Sequence, residues 1–351
     1  MFTTPLFWTP LLALAVSLAA HAATLTVFPR IGLLDFPERY GYVRGRLPYP
    51  VGIVSVLLFL LVLTSASPFG WNVRTAWLAG AVILLAVFTL IDDRKPLPAP
   101  LRLFIQAASA LFIVLPGNCL GGRICSVTNP LNGFMGGAVI DLHGALPLLS
   151  IAVTVLWLLL TVNALNWFDG IPGQVSALSV IGFLTIGFLS LSARVNQPEL
   201  ALVSFVLAGI AAGSLAFELP GLTLIGDTGA MFFGLMLGLL TIYSGGKVAT
   251  AFLVLGVPLL DLGIVILRRI MKRKSPLRGN ATNEHLHHRL LHKGWPRTVI
   301  VALTAGIGTV FGLAALFMDT VEKFVSAGLL FLLMLLLSFY SRPSVHPTSL
   351  S

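Results

Sequence analysis

Asp92 and Asp93 close an apolar run in the segment IDDRKPLPAPLRLFIQ. Adjacent carboxylates repel each other unless a cation or a proton lies between or beside them, and a hard divalent cation suits such oxygens. The plainer reading is an exposed pair neutralised by Arg94 and Lys95. Arg102 and Gln106 follow at a spacing that puts both on one helical face, where they could hold an anion beside that metal. In TVNALNWFDGIPGQ, at the end of another apolar run, Asn163, Asn166 and Asp169 recur every third residue as a polar stripe on a helix end. Polar groups there are costly unless used, although hydrated side chains at a helix terminus would also account for them.

Two more clusters complete the set. LIGDTGAMFFGLMLG places Asp227 between Gly226 and Thr228 immediately before a helix, where small residues let backbone approach a ligand and the helix start favours anions. Asp is equally an ordinary N-cap. In NEHLHHRLLHKG, a helical projection puts His285, His288, Arg289 and His292 on one face. The readings open are a cationic patch for phosphates, a metal site and an amphipathic interfacial helix. Zinc is the weakest metal here, since no Cys lies nearby and HExxH is absent. Taken together, carboxylates for a divalent cation and basic residues for phosphate charge are the materials of phosphoryl transfer.

The elements that position these residues are membrane helices. The chain has 351 residues, 57% hydrophobic and 10% charged, with mean hydropathy +0.96; this excludes an ordinary soluble domain. Apolar runs predict eleven spans near 5–29, 50–66, 73–91, 101–117, 146–165, 173–192, 198–217, 229–243, 247–268, 296–317 and 321–340. The first is expected to be a retained span, despite a signal-peptidase-like Ala20-His21-Ala22. Basic residues stay cytoplasmic, and Arg30 to Arg46, Arg94 to Arg102, the cluster from Arg268 to Arg297 and Arg342 all fall inside if the N-terminus is outside. An outside N-terminus with a cytoplasmic C-terminus needs an odd number of spans, in keeping with eleven. This topology puts the four clusters on the cytoplasmic side. Asp35, Glu38 and Glu218 are expected to cap helices or pair with neighbouring Arg and Lys.

The net charge of +9 reads as a basic inner face against anionic lipid, and no nucleic-acid module is visible. Cys119 and Cys125 fall in an outer loop and could pair in an oxidising compartment. The segment 118–145 reads as an irregular loop or small hairpin. The expectation is therefore an all-α polytopic membrane protein forming one integral-membrane domain over residues 1–351. A transporter is the alternative from another class, but it predicts acids spread across membrane depth.

At these residues the sequence resembles the polyprenyl-phosphate N-acetylhexosamine-1-phosphate transferase family, over about residues 35–294. The parts occur in family order: the Asp pair at 92–93, NxxNxxDG at 163–170, GDTG at 226–229, PxxD at 258–261 and HLHH at 285–288. HLHH looks like the WecA-like branch. The resemblance implies transfer of a sugar 1-phosphate from a UDP-sugar to undecaprenyl or another polyprenyl phosphate, with release of UMP. That reaction would initiate a lipid-linked surface glycan such as O-antigen, enterobacterial-type antigen or a cell-wall polymer. It also implies Mg²⁺, with Mn²⁺ as an alternative, and a bacterial inner-membrane location. The implied partners are a polyprenyl phosphate lipid, a UDP-N-acetylhexosamine (UDP-GlcNAc first), the membrane and a second copy of the chain as a homodimer.

By position in the family, Asp92, Asp93, Asp169 and Asp227 are the expected catalytic residues, with Asp227, Asn166 and Asp169 at the metal. Asp92 or Asp93 would position or deprotonate the lipid phosphate, and Asp93 could instead support the metal. Asn163 and Asn166 would frame the nucleotide; Arg102, His285, His287, His288 and Arg289 would bind phosphate oxygens. Two departures stand out. Pro172 occupies the place where the family has a second Asp, and Val51 stands where adjacent glycines usually follow the prolines of GYVRGRLPYPVGI. The first motivates a further alternative, a catalytically silent scaffold.

Overall fold

The computed structural model describes residues 4–40, 44–65, 71–119, 122–129, 139–244, 248–275 and 284–342. Helices follow the apolar runs: α1 (Thr4–Arg30), α2 (Gly52–Ser65), α3 (Val73–Arg94), α4 (Ala99–Val114), a short α5 (Leu142–Ala145), α6 (Pro147–Phe168), α7 (Gln174–Leu191) and α8 (Pro198–Glu218). After these come α9 (Gly226–Tyr243), α10 (Val248–Val254), α11 (Gly256–Met271), α12 (Leu286–His292), α13 (Arg297–Phe317) and α14 (Thr320–Tyr340). Their starts carry local signals. Asn72 and Thr75 form a reciprocal capping box at α3, and Pro147 and Pro198 occupy first-turn positions of α6 and α8, where no N–H is needed.

Among the described residues eight helices, α1, α3, α6 to α9, α13 and α14, are long and apolar enough to cross a membrane. The chain is a multi-pass, helical membrane protein. The other three expected spans take different forms. α2 and α4 have 14 and 16 residues, short of the ~20 a full crossing needs. The run 247–268 is not straight: α10 and α11 meet at an 84° bend. Pro258, in the first turn of α11, has no N–H to donate back to Val254, so a continuous helix is broken there. The outer segment contains a two-stranded antiparallel hairpin, β1 (Ser126–Thr128) with β2 (Val139–Asp141), Val127 opposite Ile140. Cys119 and Cys125 form a disulfide just ahead of it.

α9 is the central post, buried at every residue from Thr228 to Ile242. A Cβ on Gly234 would lie 2.6 Å from the Thr161 carbonyl oxygen, and one on Gly238 2.4 Å from Thr161 Oγ1. Small residues thus let α6 and α9 approach backbone to backbone, where lipid supplies no hydrophobic drive. The contact is antiparallel, so a turn onward from Thr161 reaches Asn166 and the start of α9 lies alongside. α1 is built into the bundle in the same way: Gly209 and Gly213 of α8 receive the Pro10 carbonyl and the Ser17 side chain. His21 is fully buried there, with Nδ1 2.9 Å from the Ser17 carbonyl oxygen.

Candidate active site

The start of α9 is held by residues far away in sequence. Both oxygens of Asp93 are occupied: Oδ1 accepts from the Tyr49 hydroxyl (2.5 Å) and the Asp227 amide (2.9 Å), and Oδ2 from the Thr228 amide (3.1 Å) and Thr228 Oγ1 (2.7 Å). A carboxylate on helix N–H groups is the electrostatically favoured cap, supplied here from α3. The structure thus places Asp93, expected among the catalytic residues, at the cap of α9 with both oxygens turned to the scaffold. Tyr49 gave no signal in the sequence. It arrives because residues 48–52 pair with the lead into α9: the Leu224 amide donates to Pro48 O, the Val51 amide to Leu224 O and the Gly52 amide to Ile225 O. Gly226 adopts φ +74° against Pro50 and Tyr49, a conformation and a closeness only glycine tolerates.

Asp92 is differently placed. Its Oδ1 accepts from the Leu97 amide at 2.6 Å, while Oδ2 faces Arg102 Nε at 3.2 Å. The same guanidinium reaches Asp227 Oδ2 at 3.5 Å and donates to Asn166 Oδ1 at 3.2 Å. Three oxygen donors from α3, α6 and α9 therefore converge on one cation. Asn166 Nδ2 is buried without a hydrogen-bond partner. A turn deeper, Asn163 Nδ2 donates to Gln106 Oε1 at 2.7 Å, so Gln106 orients Asn163 while lining one pocket with Asp92 and Arg102.

Asp169 ends α6, and burial beside the Glu218, Asp227 and Asp93 carboxylates pushes its carboxyl well above the usual range. Glu218 caps a helix, one of its two expected roles: this buried carboxylate accepts from Ser176 Oγ at both oxygens (2.8 and 2.9 Å), from Ser214 and from the Gly173 backbone at the start of α7, with no Arg or Lys bridge among the described residues. Asp35 and Glu38 do pair as expected, with Arg44 (2.6 Å) and Arg46 (3.3 Å). Gly170 carries the chain directly beneath the histidines, since a Cβ there would fall 2.0 Å from His287 Nε2.

The histidines are held from below. Asp261 of α11 takes His285 Nδ1 at 2.8 Å and the Leu286 amide at 3.0 Å, fixing the ring and capping α12 together. A carboxylate acceptor puts the proton on Nδ1, leaving His285 Nε2 buried with no partner; both ring nitrogens of His287 are likewise unpartnered. His285 and His287 stack at 5.8 Å, and His288 lies 4.2 Å from His287. Arg289, expected among the phosphate-binding residues, lies apart from the histidines. It turns away from this cluster and donates to Ser338 O and Ser338 Oγ of α14, each at 2.9 Å.

Burial and the neighbouring imidazoles lower the pKa of His287 well below the ordinary value, and that of His288 to about 4. Between about 4 and 6.5 the unfolded chain therefore binds more protons at His288 than the folded one, so stability rises with pH across that window. Melting temperature in detergent is expected to fall as pH drops through it, and His288→Gln to flatten part of that slope. Equal slopes for both proteins would refute the assignment.

Comparison with known proteins places this geometry. The profile described as glycosyl transferase family 4 matches residues 75–245. The chain is 30% identical to the decaprenyl-phosphate N-acetylglucosaminephosphotransferase of Mycobacterium tuberculosis H37Rv, over 82% of this chain and 76% of the relative. The chain belongs to glycosyl transferase family 4. Other relatives of this family 4 chain are a probable undecaprenyl-phosphate N-acetylglucosaminyl 1-phosphate transferase of Bacillus subtilis, 29% identical over 89% of the chain and 85% of the relative. The undecaprenyl-phosphate alpha-N-acetylglucosaminyl 1-phosphate transferase of Escherichia coli K12 is 25% identical over 90% and 83%. The family 4 match spans Asp92, Arg102, Asn166, Asp169 and Asp227, whereas Tyr49, Asp261 and the histidines lie outside it.

The donors present fit a hard divalent cation. Carboxylate and amide oxygens of Asp92, Asp227 and Asn166 already converge on the charge of Arg102, with the Asp169 carboxyl close enough to feel Asp227. No soft ligand is among them.

Proposed function

We propose that this chain transfers N-acetylhexosamine 1-phosphate from a UDP-sugar to polyprenyl phosphate at the cytoplasmic face of the bacterial inner membrane, releasing UMP. The chain is a phosphotransferase of glycosyl transferase family 4. The observation that carries the reading is the convergence of Asp92, Asn166 and Asp227, from three helices, on Arg102 at the helix ends, with the unpartnered His287 packed against Gly170. Relatives named as polyprenyl-phosphate N-acetylglucosamine-1-phosphate transferases support the donor class. The site acids Asp92, Asp169 and Asp227 gather at helix ends around one arginine, which a transport pathway across the membrane would not require.

In the reaction, an oxygen of the lipid phosphate attacks the sugar-bearing phosphorus, and the bond from that phosphorus to the bridging oxygen breaks, leaving UMP. Asp227, Asn166 and Asp169 would hold Mg²⁺, or Mn²⁺ in its place. When bound, that cation supplies Lewis-acid relief of the charge developing on UMP. Asp92 keeps one oxygen directed at the site and orients the attacking phosphate. Arg102 exchanges its carboxylate partners for phosphate oxygens. His285 presents Nε2 because Asp261 fixes its other nitrogen, and His287 and His288 accept positive charge only as a phosphate dianion approaches. An outside N-terminus and cytoplasmic C-terminus would put all of these groups where a nucleotide arrives.

UDP-GlcNAc is the first donor to test, and Pro172 makes the donor the open variable within the reading. Purified protein with undecaprenyl phosphate, Mg²⁺ and a panel of UDP-N-acetylhexosamines is expected to release UMP and form lipid-linked sugar. Absence of any Mg²⁺-dependent product with every donor would overturn the assignment and leave a scaffold.

A further inference from the structure

On the far side of α12 from the histidines, two arginines share one serine and a third lies close by. Arg268 in the last turn of α11 donates to Ser338 Oγ at 2.7 Å, and Arg289 donates to the same oxygen and to the Ser338 carbonyl at 2.9 Å. Arg342, just past α14, lies over the Phe339 ring at 4.6 Å. Among the described residues none of the three guanidinium groups has a carboxylate within salt-bridge distance. Arg289 is 5% exposed, and its Nε is buried with no hydrogen-bond partner. A cation at a helix C-terminus is ordinary, since it offsets the carbonyl dipoles of the last turn. Arg268 and Arg289 share one serine oxygen and both lie within electrostatic reach of Arg342, so the three repel one another, and that repulsion calls for an anion.

The surroundings say which anion. Leu267, Ile270 and Met271 beside Arg268, and Phe339 and Tyr340 beside Arg342, are all exposed on the bundle surface, the pattern of residues that face acyl chains. Tyr340 also packs against Trp295 and carries Lys293 Nζ 4.3 Å from its ring centroid, an aromatic and basic rim like those at membrane interfaces. A phosphate placed here would thus be attached to lipid.

We propose that Arg268, Arg289 and Arg342 bind the headgroup phosphate of an anionic phospholipid, at a site separate from the transferase centre. The planar guanidinium forks suit phosphate oxygens, and the exposed apolar residues on either side take the lipid chains. Burial and the charge of Arg268 bring the Arg289 pKa down to about 10, with Arg342 adding to the shift and Asp261 only partly opposing it. The site borders α12, whose first turn carries the histidines, so bound lipid would brace that helix from behind.

The test uses the full chain purified in detergent and exposed to mixed micelles of phosphatidylglycerol or phosphatidylcholine, with retained lipid read by native mass spectrometry. Wild-type protein is expected to retain phosphatidylglycerol over phosphatidylcholine. The double variant R268Q/R342Q should lose on the order of 30-fold in apparent affinity for phosphatidylglycerol. Should the double variant fail to fold, R342Q alone is expected to lose about fivefold. Equal retention of the two lipids by wild type, or unchanged phosphatidylglycerol retention by R342Q and by a folded double variant, would overturn the proposal. So would full displacement of phosphatidylglycerol by millimolar inorganic phosphate, which would mark the cluster as a free-anion site.

Discussion

Asp227→Asn is expected to lower the rate of UMP release by about 1000-fold, ~4 kcal/mol of transition-state stabilisation, while the protein stays folded. The two halves of that expectation have separate causes. The side chain of Asp227 reaches into the site, 3.5 Å from Arg102 Nη2, whereas its structural duty falls on the backbone amide, which donates to Asp93. Asn preserves that amide and the side-chain shape, so the cap of α9 survives. It removes one negative charge from a group where Asp92 and Asp227 share a single arginine, which relieves repulsion when the site is empty. The melting temperature should therefore be equal to or above that of wild type, the usual sign of a residue kept for function at the expense of stability. Radiolabelled sugar transfer and a detergent melt on the same preparation check both parts. Activity within tenfold of wild type would remove Asp227 from the metal and leaving-group role.

Gly52→Ala is expected to cost about 100-fold in activity and to lower the melting temperature clearly. A Cβ at this position would lie 2.3 Å from Gly229 Cα, 2.4 Å from Gly229 N and 2.7 Å from the Ile225 carbonyl oxygen. All three are backbone atoms, so no side-chain rotation can clear them, and α2 must separate from the start of α9. Overpacking of this kind costs ~1–3 kcal/mol. The displaced segment also carries Asp227 and Thr228, and a shift of about 1 Å in a positioning element is enough for a 100-fold loss. Gly306→Ala, at a position with nothing within 4 Å of the added carbon, is the control and should change neither property. A Gly52→Ala protein with normal turnover would show that the α2 to α9 contact does not position the site.

Asp92, Asp169 and Asp227 were legible as candidates because ionisable groups at the ends of apolar runs are expensive and therefore conspicuous. The eight long apolar helices follow from the same apolar runs, whereas the shortness of α2 and α4 and the bend between α10 and α11 do not. What each group does was not legible. Asp92 and Asp93 are neighbours in sequence with the same chemistry, but on a helix they point in different directions. One reaches Arg102, and the other is consumed in capping a helix that begins at residue 226. Helical projection also placed Arg289 with His288 on one face, whereas α12 has only seven residues and packs on both sides. Its histidines meet the Asp169-Gly170 turn and its arginine meets α14.

By itself the sequence determined that this chain lives in a membrane, where its helices lie, and which polar residues they bring to their ends, because burial cost and helical period act locally along the chain. Tertiary structure alone decided that Arg102 joins α3, α6 and α9, that Tyr49 and Asp93 hold the start of α9, and that Asp261 fixes His285. Apart from the Asp92–Arg102 pair, those assignments depend on contacts between residues more than twenty positions apart, set by glycine-mediated helix packing, and no local pattern records which distant backbone a small residue admits.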